Sequence, residues 1–243
     1  MVSPENMVRP LACTYSAFYI CAVRSTIPLK NQGAAVTRLK LTTHVEQDRY
    51  GDFYLTDAVR PAPDLAVIPT EGYRVGIFRD PCSDNRIPML VASVSREKLF
   101  DVFHDMIELL GDPVDVILET SHDSSTGEHH DLCRDGIDLP VLQSYLCDFE
   151  DLLLNDGCSG IAVMNEEGTC EVQFDEHKLI IVYSADLQPY MNVLARHGVR
   201  RDDRLKVITE AEHLHSTNQA YREQFHELCC RLGIAESIEH ARW

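Results

Sequence analysis

The chain has 243 residues, 44% hydrophobic and 25% charged, values of an ordinary globular protein that argue against disorder and allow a sizeable core. Its formal charge of −17 is unevenly spread: residues 1–60 carry seven Lys/Arg against five Asp/Glu, leaving 15 against 34 for the remainder. A negative field of that size repels phosphate backbones and anionic membranes, so it disfavours nucleic-acid and membrane binding and suits a basic protein partner, a small ligand or a cation.

Taken in chain order, the first pattern is an apolar run at residues 11–23, diluted by Thr14, Tyr15 and Ser16 and closed by Arg24. It is too short to cross a bilayer and reads as an early buried strand rather than a signal peptide. Asn31-Gln32-Gly33 is a turn signal, residues 35–43 alternate as a strand does, and residues 53–55 add a short strand. Pro61 and Pro63 mark the best boundary, so residues 1–60 are expected to form a β-rich N-terminal segment and residues 61–243 an α+β domain.

Within that domain, residues 89–94 read as a strand. Ser95 can cap a helix whose apolar positions Leu99, Val102, Phe103, Met106, Ile107 and Leu110 recur at helical spacing; Gly111 and Pro113 stop it, and a strand follows at 114–119. The same order recurs later. Residues 179–184 are apolar, a helix with Asp186 as cap and Pro189 in its first turn ends at Gly198, and residues 206–213 read as a strand. Each unit is followed by an amphipathic helix, the first capped by Asp138 with Pro140 behind it, the second opened by a Ser216/Gln219 capping box. Between the units, Asn165-Glu166-Glu167-Gly168 is a hairpin turn. The expected fold is therefore α+β: a mixed, mostly antiparallel sheet with helices on one face and two tandem β-α-β (ferredoxin-like) units at 89–120 and 178–212.

Nine cysteines include no Cys-x-x-Cys pair, which points to reduced thiols and a cytoplasmic protein. Phosphate-binding glycine loops and a nucleophile elbow are absent, and His226-Glu227 fails as a zincin motif because position 230 is Cys.

Two segments could hold a divalent transition metal such as zinc. The loop from His122 to Cys133 offers His122, His129, His130 and Cys133 with Glu128 as a carboxylate, but in no recognised spacing, and reads first as a polar connection. In Glu210-Ala211-Glu212-His213-Leu214-His215, period-two geometry places His213 and His215 on one strand face, a pair that needs a third ligand from elsewhere. Glu128 and Glu210 are the candidate general bases. A plain ferredoxin-like sheet would send His122 and His213 to opposite edges. Asp175-Glu176-His177-Lys178 sets an acid beside a base but reads as a solvated turn, and Cys158, among acidic neighbours, reads as structural.

With every enzymatic motif failing, the leading expectation is a non-enzymatic regulatory or interaction protein, with an acidic surface for its partner and sheet edges suited to a homo-dimer. The competing expectation is a metal-dependent hydrolase built on the histidines above.

Overall fold

A computed structural model describes residues 46–79, 85–122 and 129–234. The strands expected within residues 15–43 and the candidate base Glu128 lie outside the described residues.

Alternating apolar residues build the principal sheet. Its strands are β4 (Gly72–Arg79), β5 (Arg86–Ser93), β6 (Val114–Thr120), β7 (His130–Ile137), β8 (Ser159–Asn165), β9 (Glu171–Phe174) and β10 (Leu179–Tyr183). They lie in the order β4-β5-β10-β9-β8-β6-β7, every neighbouring pair antiparallel. Residues of one parity, among them Leu90, Ala92, Val116, Leu118, Val163, Phe174 and Val182, join a core with the helices, while Val91, Ile117, Ala162 and Ile181 pack on the other face.

The helices contributing to that core are α1 (Arg96–Ile107), α2 (Leu139–Asp148), α3 (Glu150–Asn155), α4 (Gln188–Arg196) and α5 (Gln219–Arg231). Ser95 sits at the N-cap of α1, and its hydroxyl bonds to Glu97 and accepts from the Tyr54 amide. Phe149 interrupts what reads as one helix and divides it into α2 and α3. The cap of α5 is Asn218, which accepts from the Tyr221 amide at 3.0 Å, in place of the expected Ser216 box.

The first β-α-β unit is present, but β5 and β6 are separated by β10, β9 and β8. The second unit lacks its closing strand: residues 206–212 hold only a 3-10 turn, Ile208–Glu210, and add no strand to the principal sheet. The chain instead crosses the end of the sheet and forms β11 (His213–His215), which pairs with β3 (Val59–Pro61) as a separate antiparallel ribbon. Leu205 and Val207 are the reason: they are buried against Val91, Leu179 and Ile181, so these apolar residues cover the sheet face rather than extend it. A second ribbon joins β1 (Arg49–Tyr50) to β2 (Phe53–Tyr54). Among the described residues no helix is long and apolar enough to cross a membrane.

Phe103 of α1 is fully buried with its ring centroid 5.3 Å from that of Phe174, at the end of β9. Phe103→Ala should cost about 3–5 kcal/mol in urea denaturation. The exposed Ile77→Ala should change stability by no more than about 0.5 kcal/mol.

Candidate metal centre

Residues 175–178 link β9 to β10 in a tight turn organised by one carboxylate. Asp175 Oδ1 accepts from the backbone amides of His177 (3.1 Å) and Leu179 (2.8 Å), the local bonding that makes Asp a turn former. Its other oxygen, Oδ2, lies 2.9 Å from His177 Nδ1 and so orients the ring. Lys178 closes the turn at φ 62°, an uncommon conformation for a residue with a side chain, and is held there by burial: its ammonium donates to Ser159 O at 3.0 Å with its tip over the Phe174 ring. The turn is thus packed, with Lys178 only 6% exposed.

The β3-β11 ribbon presents the other two histidines. Alternation along β11 puts His213 and His215 on one face, opposite Pro61 and Val59 in register, with Leu214 and Arg60 on the reverse. The ribbon is joined to the sheet end through Gly157, whose amide donates to Ser216 O (2.8 Å) while the Ser216 amide donates to Ala58 O (2.8 Å). A Cβ at position 157 would stand 2.4 Å from Ala58 O and 2.9 Å from Ser216 N and O, so no larger residue fits. Gly157 O in turn accepts from His215 Nδ1 at 2.5 Å.

These contacts fix three tautomers. His213 Nδ1 bonds to Ala211 O (2.8 Å), His215 Nδ1 to Gly157 O, and His177 Nδ1 to a carboxylate; carbonyl and carboxylate oxygens only accept, so each Nδ1 carries the hydrogen. The Nε2 lone pairs remain for a ligand. One ring nitrogen of each histidine lies within 4.8 Å of the other two, and the ring centroids form a near-equilateral triangle of 4.8, 4.9 and 5.0 Å. His215 is the most exposed of the three, and the group opens toward solvent there.

Several charges surround the group. Glu176 Oε1 lies 3.7 Å from His177 Nε2 and 3.2 Å from His129 Nε2, while His129 Nδ1 is 2.9 Å from Glu119. The carboxylates of Glu119 and Glu176, 2.9 and 3.2 Å away, hold His129 protonated, its pKa pushed up to about 10. Burial opposes charge on His177, but Asp175, Glu176 and Glu119 together outweigh it and raise its pKa. Desolvation, and after it the field of His177, lowers those of His213 and His215. Burial brings Lys178 down to about 8 against the pull of Asp156, Asp175 and Glu176.

The remaining sequence candidates do not converge on this group. The His122 side chain is 5% exposed, with Nε2 3.0 Å from Asp156, Nδ1 2.8 Å from Thr120 Oγ1 and its ring against Phe225. It reaches the same end of the sheet as His213, since Asp156 adjoins Gly157, but as a separate pair. His130 is exposed on β7 opposite Thr120. Cys133 is disulfide-bonded, which removes a thiolate ligand and departs from the expectation of reduced thiols throughout. Glu210 is taken by Arg74 at 2.6 Å. The Cys158 thiol is raised by burial and by the nearby Asp156 and Glu176. A cavity of about 20 Å³, room for one or two waters, adjoins His177 and is lined by Tyr54, Ser93, Val94, Leu179 and Ile208 among others.

No family model, curated protein or solved structure matches this chain.

His177 belongs to the turn expected to be solvated and was not among the expected ligands; the turn is instead packed, with Lys178 buried. The signal for His177 was the Asp at its turn's first position, two residues before it, a spacing that lets one carboxylate shape the turn and hold the imidazole. Asp175→Asn keeps an acceptor for the turn but turns an amide toward Nδ1. It should weaken Zn²⁺ binding by about 10–100-fold in chelator competition with little change in far-UV circular dichroism. Gly157→Ala should weaken it at least as much, and destabilise the fold as well, through its collision with Ala58 O.

Proposed function

We propose that this protein is a metalloprotein with a mononuclear His177/His213/His215 centre, and that it acts as a metal-dependent hydrolase. The observation that carries this reading is the set of three neighbouring imidazoles, each with Nδ1 already committed to an oxygen, which leaves Nε2 as the nitrogen of each ring that can bind an ion. Outer-sphere bonds of this kind accompany nearly all metal-bound histidines, because they fix the tautomer and the ring orientation.

The spacing supports it. A zinc ion bound by Nε2 at about 2.0–2.1 Å sits roughly 3.2 Å from each ring centroid, which for tetrahedral angles separates the centroids by about 5.2 Å. The triangle of 4.8–5.0 Å is close to that. Tetrahedral nitrogens stand about 3.4 Å apart, so binding draws the most distant pair, now within 4.8 Å, together by as much as about 1.4 Å.

Three protein ligands with a fourth position open is the arrangement of catalytic rather than structural zinc sites, which close the shell with four side chains. When bound, such an ion lowers the pKa of a coordinated water to about 7 and polarises a substrate carbonyl or phosphoryl oxygen. Glu176, beside His177 Nε2, is the carboxylate placed to take a proton there, in the role the sequence suggested for Glu128 or Glu210.

A second reading keeps the centre but makes it a staple for an interaction protein. It is favoured by the ligands' origin: His213 and His215 belong to the β3-β11 ribbon and His177 to the principal sheet, so an ion here would tie the two together.

Purified protein should carry about one equivalent of zinc or a neighbouring transition metal by elemental analysis. His177→Ala, His213→Ala and His215→Ala should each lose it, and His130→Ala should not. Affinity should fall as pH drops, because protons compete for Nε2, with His177 protonating first since its pKa is the one raised. Metal-free wild-type protein whose melting temperature ignores added Zn²⁺ and chelator would sink both readings.

A further inference from the structure

Glu119, His129 and Glu176 form a chain of close contacts beside the three-histidine group. Glu119 is 6% exposed on β6, with Gly160 of β8 and Asp131 of β7 as its cross-strand neighbours. It anchors His129 through Nδ1 at 2.9 Å, and the opposite ring nitrogen reaches Glu176 Oε1 at 3.2 Å. Gly160 seats the other end: a Cβ there would lie 3.3 Å from Asp175 Cα and Glu176 N, so the bare glycine lets the 175–178 turn rest on β8. Both ends of the clamp are therefore fixed by adjacent residues on paired strands.

The oxygen that His129 holds is the one nearest the centre. Glu176 Oε1 is 3.7 Å from His177 Nε2, almost the spacing of two ligands on one ion, yet Glu176 does not join His177, His213 and His215 in the group of mutually close ligand atoms. His129 cannot be a ligand in this arrangement, because its two nitrogens point at two different carboxylates.

We propose that His129, anchored on Glu119, is a positioning residue that holds the Glu176 carboxylate beside the three-histidine centre and off the ion, keeping one coordination position open for water or substrate. This rests on the reading of His177, His213 and His215 as ligands. A carboxylate left unrestrained next to a divalent cation would bind it and close the shell; restrained at hydrogen-bond distance, it can accept a proton from whatever occupies the open position.

The test uses the full chain loaded with Co²⁺, whose visible bands report coordination directly. The wild-type spectrum should change with pH between about 6 and 9 as water at the open position ionises. His129→Ala should release Glu176 onto the ion, abolishing that pH dependence and tightening Co²⁺ binding. His129→Ala combined with Glu176→Gln should restore it. Glu119→Gln, which weakens the anchor and leaves His129 in place, should shift the spectrum in the same direction as His129→Ala. Wild-type spectra and affinity in His129→Ala would overturn the clamp, as would a Co²⁺ loss as large as that of His177→Ala, which would make His129 a ligand. Failure of the unaltered chain to bind Co²⁺ would overturn the centre itself, and the clamp with it.

Discussion

The site depends on a single recurring bond: an imidazole Nδ1–H donated to a fixed oxygen. Each of its three instances is anchored differently. Asp175 supplies a side chain that also shapes its turn, Ala211 supplies a carbonyl two residues from the ring it holds, and Gly157 supplies a carbonyl from another part of the chain. Remove any one and a ring is free to flip or to exchange tautomers, and the lone pairs no longer converge. Gly157 ties this to the fold at large, because the contact that brings its carbonyl to His215 leaves no room for a side chain between Ala58 and Ser216.

Around this group the protein buries more charge than a stable core requires. Asp156 has no exposure, Lys178 is 6% exposed, and Glu119, Asp175, Glu176, His129 and His177 are all largely withdrawn from water. Charges taken out of water are costly, and even well-paired ones are often no better than apolar residues of the same size. The pairs are close and reciprocal: His122 with Asp156, His129 with Glu119 and Glu176, His177 with Asp175. The His122 imidazole 3.0 Å away, with Ser159 and Thr217 beside it, outweighs burial and keeps the Asp156 carboxyl below its usual range.

Much of the fold was legible because periodicity reports burial. The helical spacing of Leu99 to Leu110, the turn at Asn165 to Gly168 and the apolar strand at 179–183 all reappear as α1, the β8-β9 hairpin and β10. The closing strand of the second unit was misread for the same reason: Leu205 and Val207 have the alternation of a strand, but it serves to cover a sheet face, and alternation alone does not distinguish the two. At the site, period-two alternation puts His213 and His215 on one face, a pair that needs a third ligand to hold an ion. The third imidazole of the group, His177, lies 36 residues earlier in sequence and is brought in by the pairing of β10 with β9 and the folding back of the ribbon, neither of which local pattern encodes. The His122–Cys133 segment was rich in ligand types, but His122, His129 and Cys133 serve other partners and His130 is exposed.

X-ray absorption at the zinc edge would test the metal centre most directly. A first shell containing three nitrogens at about 2.0–2.1 Å, with outer-shell scattering from three imidazoles and one further light atom, is expected of zinc-loaded protein. Sulfur in the first shell, or fewer than three imidazoles, would contradict it.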